Sequence, residues 1–334
     1  MTRKVLMTLL LNRQNVASLL TMKDAIETVQ EAFRQLALGR VTMPQRAVVR
    51  IAAHHGVHLA MPAHIGGEAE ALAVKVVTVY PDNPVRHKLP SIFGLVVLHD
   101  AQTGTPLAVM DAGYLTAVRT GAVSGVATRF LARRNARTVG VFGASVQAET
   151  QLVAVCAVRN IKSARVFDTE RNRARMFAEE LGRRLDIEVL PVNHPREAIV
   201  GCDIVAVATS ASTPVFDGTW LEPGQHVNAV GSHAPQAREL DTTAVVRSKV
   251  VADQVEACLV EAGDLMIPIQ EGAITREHVR AGLGEVVAGL KPARESDEEI
   301  TLFKSVGLAL QDASVAGVVY RKAVQARVGT EFAF

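Results

Sequence analysis

Residues 139–148 read V-G-V-F-G-A-S-V-Q-A, and a second apolar run, S-A-R-V-F-D, ends at Asp168. The first run stops at Gly143, and the small residues Ser145 and Ala148 open a helix-forming segment. This order is typical of a βαβ unit whose first turn approaches a dinucleotide pyrophosphate. A phosphate reaches the free N–H groups of a helix N-terminus only where no side chain blocks it. The segment therefore predicts a nucleotide site, although Ser145 replaces the second glycine of G-x-G-x-x-G/A; an ordinary βα turn is the alternative.

Bulk composition narrows the classes of protein to consider. The chain has 334 residues, 49% apolar and 21% charged, which suits two domains with sizeable cores. A net charge of +2 with dispersed arginines gives no case for nucleic acid or an anionic membrane as partner. The apolar run near the N-terminus is too short to span a bilayer. The cysteines are widely spaced and no cluster has metal-ligand spacing, so we expect a cytoplasmic protein without a metal.

Two patterns of apolar segments follow one another along the chain. Residues 45–112 contain short apolar runs separated by turn residues, a pattern that predicts an antiparallel meander. After a helix predicted at residues 121–134, apolar strands alternate with helices, which predicts a parallel, doubly wound sheet. Thr21 and Asp24 resemble a capping box that opens an earlier helix, and residues 301–328 read as helix. The predicted class is α/β, with a Rossmann-type sheet beside a second, α+β domain.

Several motifs together resemble the ornithine cyclodeaminase/μ-crystallin family, which also includes an alanine dehydrogenase and cyclic ketimine reductases. They are M-P at 61–62, K-V-V-T-V-Y-P-D-N at 75–83, Y-L-T-A-V-R-T-G-A at 114–122, G-A-S-V-Q-A at 143–148, N-A-V-G-S-H at 228–233, R-E-L-D at 238–241 and F-K-S-V-G-L-A at 303–309. The resemblance implies a Rossmann domain, residues 121–304, inserted into a substrate-binding and dimerisation domain of residues 1–120 and 305–334. It also implies a homodimer formed through that second domain.

By the same resemblance, Arg46, Lys75 and Arg119 match positions that hold a substrate carboxylate, with Met61 beside them. A guanidinium grips a carboxylate through two parallel hydrogen bonds. Lys75 interrupts an apolar strand and is costly to bury unpaired, so it should face a polar site or an acid. Arg119 is expected at a helix start, where the dipole disfavours arginine and a functional reason is therefore favoured. Taken alone, Arg46 is also compatible with a solvated charge.

Proton transfer has two candidate residues. Lys75 is one, because the pKa of a lysine falls readily on desolvation. His233 is the other, since histidine titrates near neutral pH, although it could equally be a plain loop residue. His233 stands where the family's cyclodeaminase and alanine dehydrogenase carry an aspartate. Leu59-Ala60 stands where the cyclodeaminase carries a glutamate, so recognition of a second ammonium group is disfavoured.

The nucleotide is predicted to be NAD, with NADP possible. Asp168 should take the adenosine ribose hydroxyls and repel a 2′-phosphate, while the nearby Arg171 weakens that preference. Asp168 could also cap the helix that follows it. The residues predicted to contact the nucleotide are Thr120, Gly143, Ala144, Ser145, Val146, Gln147, Asp168, Thr169, Arg171, Thr209, Ser210, Val230, Gly231, Ser232, Ser305 and Gly307.

These features predict an NAD(P)-dependent oxidoreductase that acts on the Cα–N bond of small α-imino or α-amino acids. The cofactor would do the difficult chemistry, while the protein positions and polarises the substrate. One alternative is an ornithine cyclodeaminase that uses NAD catalytically to form proline and ammonia. Others are a μ-crystallin-like nucleotide-binding protein with little turnover and, less favoured, a metabolite binder that takes no nucleotide.

Overall fold

The computed structural model describes residues 7–333 and divides into two compact units. The first unit comprises the chain up to Arg119 and from Leu308 onward, and the second comprises Thr120–Gly307. The strands are β1 Met7–Leu11, β2 Val41–Thr42, β3 Ala47–Ile51, β4 Gly56–Ile65, β5 Ala71–Val79, β6 Ile92–His99, β7 Pro106–Asp111, β8 Thr138–Phe142, β9 Ser163–Phe167, β10 Glu188–Pro191, β11 Ile204–Val207, β12 His226–Ala229, β13 Lys249–Ala252, β14 Val279–Gly282, β15 Thr301–Lys304 and β16 Thr330–Ala333. The α-helices are α1 Arg13–Leu19, α2 Met22–Ala37, α3 Asn83–Arg86, α4 Ala112–Leu131, α5 Val146–Val158, α6 Arg171–Leu185, α7 Thr242–Val246, α8 Val255–Glu261, α9 Gly263–Gln270, α10 Leu283–Val287 and α11 Ala309–Ala326.

The first unit is built on a mixed sheet with the order β16-β1-β7-β6-β5-β4-β2, and β3 also pairs with β4. Strands β3 to β7 pair antiparallel in sequence order, which confirms the predicted meander. Strand β1 joins β7 in parallel and β16 joins β1 antiparallel, so segments from both ends of the sequence complete one sheet. Helix α11 packs on β4, β5 and β6, and α2 packs on α11 and β4.

Local sequence explains the helices that cover this sheet. Thr21 and Asp24 form the predicted capping box, in which each side chain accepts a hydrogen bond from the other's backbone N–H. Helix α2 then buries Val29 and Phe33 along one face. Gly39, at φ +70°, follows its last turn in the left-handed conformation that glycine adopts without strain.

The second unit is a parallel sheet with the order β10-β9-β8-β11-β12-β15-β13-β14. This confirms the predicted strand–helix alternation and the doubly wound class. Strand β8 pairs with β9 on one side and with β11 on the other, so the winding direction reverses between β8 and β11. In open α/β sheets, ligands bind outside the carboxyl ends of the strands at such a reversal.

Two sequence-based boundaries were wrong. Helix α4 begins at Ala112 rather than at residue 121, and Gly121 lies in its interior. A Cβ on Gly121 would lie 2.5 Å from the carbonyl oxygen of Thr150 in α5, so this glycine marks a close helix contact rather than a helix start. Residues 301–304 are strand β15, not helix, and α11 begins only at Ala309. A strand buried on both faces gives the same continuous apolar pattern as a buried helix.

No helix within residues 7–333 is both long enough and apolar enough to cross a membrane.

Candidate active site

A row of side chains crosses the first unit's sheet beneath α11. Lys75 of β5 lies opposite Met61 of β4 on one side and Val96 of β6 on the other. Directly opposed residues of antiparallel strands point to the same face, and this face is the buried one. Arg46 precedes β3, whose first residue pairs with Ala60, so its backbone lies next to that of Met61 across the strand pair.

Lys75 is 2% exposed, and its Nζ lies 2.8 Å from Oδ2 of Asp312, which is itself 1% exposed. The buried lysine thus faces an acid, as its position in an apolar strand predicted. Arg119 donates from Nε to Oδ1 of the same carboxylate at 3.0 Å and from Nη1 to Oε1 of Gln311 at 2.6 Å. Gln311 and Asp312 lie in the first turn of α11, so this helix supplies the partners of both cations.

The pKa of Lys75 is lowered to about 8, first by burial and next by the charge of Arg119; Asp312 opposes the shift and Arg46 adds to it. Arg46 therefore lies within electrostatic reach of Lys75. Arg119 is in the interior of α4, not at a helix start, so the dipole argument made for it from the sequence was wrong. Its burial is explained by the hydrogen bonds to Asp312 and Gln311.

This cluster can bind an anion. Within residues 7–333, Lys75 and Arg119 share the carboxylate of Asp312, which leaves an excess of positive charge in a buried place. The Nε2 donor of Gln311 is buried and has no hydrogen-bond partner among the described residues. Buried donors without a partner are rare in proteins, and one placed beside two cations indicates an acceptor that the chain itself does not supply. A carboxylate of a small ligand meets that requirement.

In the second unit, the turn between β8 and α5 has the geometry of a nucleotide-binding turn. Gly143 has φ +93°, and a Cβ there would lie 2.8 Å from the carbonyl oxygen of Ala208. Ser145 is the N-cap of α5, and its side chain accepts a hydrogen bond from Ala148 N. Glycine is thus required at the first position of the turn, and the serine is explained by its capping role.

The residues around this turn fit a dinucleotide. The N–H groups of Val146 and Gln147, in the first turn of α5, have no acceptor within the helix. They form the positive end of the helix dipole. Oε1 of Gln147 is buried and without a hydrogen-bond partner among the described residues. These groups suit the phosphates and hydroxyls of such a ligand.

Asp168 directly follows β9, where a ribose-binding acid is expected. Its Oδ2 accepts from Ala144 N at 2.8 Å and its Oδ1 accepts from Glu170 N at 2.8 Å. Glu170, not Asp168, is the N-cap of α6, so the capping role considered for Asp168 was wrong. Thr169 and Arg171 beside it are exposed.

The loops after β11 and β12 carry the next predicted contacts. Backbone N–H groups of Thr209, Gly231 and Ser232 all donate to the carboxylate of Glu239. Val230 N donates to Val207 O at 3.0 Å, and Ser210 is exposed. Sequence reasoning missed Glu239, although its R-E-L-D motif was noted.

The loop after β15 contains Ser305 and Gly307, both of which donate to Oδ2 of Asp253, at 2.7 and 2.9 Å. The Ser305 hydroxyl is thus engaged with a buried acid. Thr120, at the start of the second unit, accepts through its carbonyl from Nε2 of Gln151 at 3.2 Å. His233 is exposed in the loop after β12, with Nδ1 3.2 Å from Gly231 O.

A Rossmann-type sheet with a nucleotide turn, joined in one chain to a mixed sheet with a buried cationic cluster, defines a two-domain protein of the dinucleotide-binding class. The chain belongs to the ornithine cyclodeaminase/mu-crystallin family, whose model matches residues 6–327.

Similar proteins agree with this class. The chain is 41% identical over 327 residues to a Δ1-pyrroline-2-carboxylate reductase of Bacillus cereus, covering 98% of this chain and 100% of that protein. The structure of Thermococcus litoralis Δ1-pyrroline-2-carboxylate reductase in complex with NADH and L-proline is 47% identical, with a TM-score of 0.93 and coverage of 97% and 99%. An archaeal alanine dehydrogenase dimer with bound NAD is 39% identical, with a TM-score of 0.92 and coverage of 98% and 99%.

Proposed function

We propose that this protein is an NAD(P)-dependent oxidoreductase that reduces the C=N bond of a small α-imino acid, or acts on the matching α-amino acid. The observation that carries the proposal is the buried pair Lys75 and Arg119, which share one carboxylate beside the unpartnered amide donor of Gln311. Such a cluster suits a carboxylate. The similar proteins supply the reaction class, since they are reductases and dehydrogenases that act at a carbon bearing both a carboxylate and a nitrogen.

In this proposal the cations have separate tasks. Arg119, with Arg46, binds the substrate carboxylate, and its rigid fork fixes the orientation of Cα. Lys75, whose pKa of about 8 permits exchange near neutral pH, gives a proton to the substrate nitrogen. Met61 contacts the apolar part of the substrate. Reduced nicotinamide, when bound, supplies the hydride.

The proposed nucleotide is NAD rather than NADP. A carboxylate at the end of β9 accepts from ribose hydroxyls but repels a 2′-phosphate. Asp168 is held in place by Ala144 N and Glu170 N, so it cannot turn away from a phosphate without losing both hydrogen bonds. NADP is the second choice, because Arg171 lies close to Asp168 in sequence and an arginine there favours a 2′-phosphate. His233 is retained as an alternative proton donor.

The test is a panel of substrates with NADH: pyrroline-2-carboxylate, piperideine-2-carboxylate, and pyruvate with ammonia. We expect NADH oxidation with at least one of these and the matching amino acid as product. Release of ammonia from ornithine without net change in NADH would instead identify a cyclodeaminase. NADH binding without turnover on any member of the panel would identify a binding protein.

A substitution sharpens the choice between reductase and cyclodeaminase. Leu59 pairs with Val77 two residues along from the Met61–Lys75 pair, so its side chain points to the same face as Lys75. We expect Leu59→Glu to weaken binding of the imino acid substrate and to strengthen binding of ornithine. Val85→Glu, at an exposed position outside the strands, adds the same charge away from both faces of the sheet and should leave the binding of both ligands unchanged.

We also propose a homodimer formed through the first unit's sheet. Its helices cover one face, while within the described chain the opposite face carries exposed Val49, Phe93 and Leu95, at 56%, 48% and 51% exposure. Large apolar side chains exposed on one face of a sheet indicate an interface. We expect Phe93→Glu with Leu95→Lys to give a monomer by light scattering. Val85→Lys, at an exposed position outside the strands, should leave the dimer intact.

A cytoplasmic location completes the proposal. It is supported by Cys156, Cys202 and Cys258, all of which are free thiols.

A further inference from the structure

Glu239 is a fully buried acid that receives hydrogen bonds from two separate loops. Its Oε1 accepts from Thr209 N and from Thr209 Oγ1, both at 2.7 Å, in the loop after β11. Its Oε2 accepts from Gly231 N at 2.7 Å and from Ser232 N at 3.0 Å, in the loop after β12. One carboxylate thus sets the distance between the carboxyl ends of two neighbouring strands.

The position of Glu239 is itself fixed by a buried ion pair. Oδ1 of Asp264 accepts from the backbone N–H groups of Glu239 and Leu240, at 2.7 and 2.9 Å. Nζ of Lys304 lies 2.6 Å from Oδ2 of Asp264 and donates to Ser232 O at 2.7 Å. The acid, the two loops and the ion pair therefore form one connected network, so that Glu239 cannot shift without breaking several hydrogen bonds at once.

The loop sequences fit this acid closely. A Cβ on Gly231 would lie 2.3 Å from Oε1 of Glu239 and 2.3 Å from the carbonyl oxygen of Thr209. Glycine is therefore required at position 231 by the approach of the carboxylate and of the neighbouring loop. Burial raises the pKa of Glu239, while the charge of Lys304 and the donors of Thr209 oppose that shift.

We propose that Glu239 is a positioning residue that holds the loops after β11 and β12 in the shape that receives the nucleotide. This rests on the proposed function, which includes NAD, and on the sequence-based prediction that Thr209, Gly231 and Ser232 contact that ligand. These loops lie at the carboxyl ends of strands beside the reversal in winding, where a dinucleotide crosses an open sheet. Glu239 does not touch the ligand; it acts through the backbone of residues that do.

A matched control is available at the opposite edge of the same sheet. Asp203 precedes β11, and its Oδ2 accepts from Arg137 N, Thr138 N and Thr138 Oγ1 at 2.7, 3.0 and 2.9 Å. It therefore joins two segments through a comparable set of hydrogen bonds, but at the amino ends of the strands. A merely structural role for Glu239 would make the two acids equivalent.

The experiment compares Glu239→Gln and Asp203→Asn in the full chain. Glutamine keeps the size of the side chain but turns an NH2 group toward N–H donors, so we expect the Kd for NADH to rise about tenfold or more, the effect of losing charge-assisted hydrogen bonds. At saturating NADH, the KM for the imino acid should stay within about twofold. Asp203→Asn should lower the melting temperature while the Kd for NADH stays within about twofold.

An unchanged Kd in Glu239→Gln, or an equal loss of NADH affinity in Asp203→Asn, would overturn the positioning role. Should Glu239→Gln fail to fold, Glu239→Asp keeps the charge and draws the carboxylate back from the two loops; a rise in the Kd of about threefold is expected, and no rise counts against the role. If the unsubstituted protein does not bind NADH at all, the proposed function fails. If it binds NADH and Glu239→Gln binds with the same Kd, only the positioning role fails.

Discussion

Two buried lysines, one in each unit, have surroundings that shift their pKa values in opposite directions. Lys75 and Lys304 are almost fully buried, and each places Nζ within 2.8 Å of an aspartate oxygen. Burial and the neighbouring arginines lower the pKa of Lys75 to about 8. Burial also opposes the charge on Lys304, but Asp264 and Glu239 together raise the pKa of that lysine.

The difference separates a binding site from a scaffold. Lys304 faces two acids whose remaining oxygens accept backbone N–H groups, so its network is complete without a ligand. Lys75 shares Asp312 with Arg119, and the cluster holds more positive charge than the acid balances. An excess of buried positive charge is costly unless a ligand anion completes it, whereas acids whose oxygens are saturated by backbone N–H donors stabilise the fold without a ligand.

The largest expected effect is on the unbalanced cluster. We expect Arg119→Ala to raise the KM for an imino acid roughly a hundredfold or more, because a bidentate contact to a buried carboxylate is lost. Asp312 keeps Lys75 as a partner, so the fold should survive. Steady-state kinetics with titration of NADH binding would check this, and an unchanged KM would refute the carboxylate site.

The two lysines can be compared directly by replacing each with methionine. Lys304→Met leaves Asp264 buried without its cation and should lower the free energy of unfolding by about 3 kcal/mol. Lys75→Met leaves Asp312 paired with Arg119 and should cost less than about 1 kcal/mol while abolishing most activity. Denaturant unfolding of both variants measures the contrast; equal losses of stability would show that the two clusters are not different in kind.

A smaller effect is expected at the ribose-binding acid. Asp168→Ser removes the negative charge but keeps an acceptor for Ala144 N or Glu170 N. We expect the ratio of kcat/KM for NADPH to that for NADH to rise about tenfold, the size of one lost charge repulsion. Glu170→Ser, at an exposed neighbouring acid, serves as the control. A constant ratio in Asp168→Ser would remove the ribose assignment.

The smallest expected effect is the dependence of kcat/KM on pH. Lys75 holds its proton below pH 8 and releases it above, so kcat/KM for imine reduction should fall above about pH 8, by up to about tenfold per pH unit. In Lys75→Arg, whose guanidinium stays charged, the residual activity should lose this alkaline limb. Persistence of the same limb in that variant would assign it to another group.

Sequence reasoning located Lys75 because a charge in an apolar strand is an anomaly that period-2 patterning exposes at once. Gly143 and Asp168 were predicted as nucleotide contacts because the turn and the acid keep a fixed order around one helix. Asp312 was missed because its partners lie far away in sequence. Glu239 was missed because its partners are mostly backbone N–H groups, which leave no pattern of side chains in the sequence. Only the fold brings Asp312 to Lys75.

The order of segments along the chain has a consequence for synthesis. The second unit is one continuous stretch, whereas the sheet and the cationic cluster of the first unit need residues from Leu308 onward. During translation, the second unit can therefore fold as soon as it leaves the ribosome. Strand β1 lacks β16, and Lys75 lacks Asp312, until the residues from Leu308 onward have been made. Until then the earliest-made strands expose their apolar faces, so nascent chains stalled before residue 308 should depend on chaperones more than completed ones.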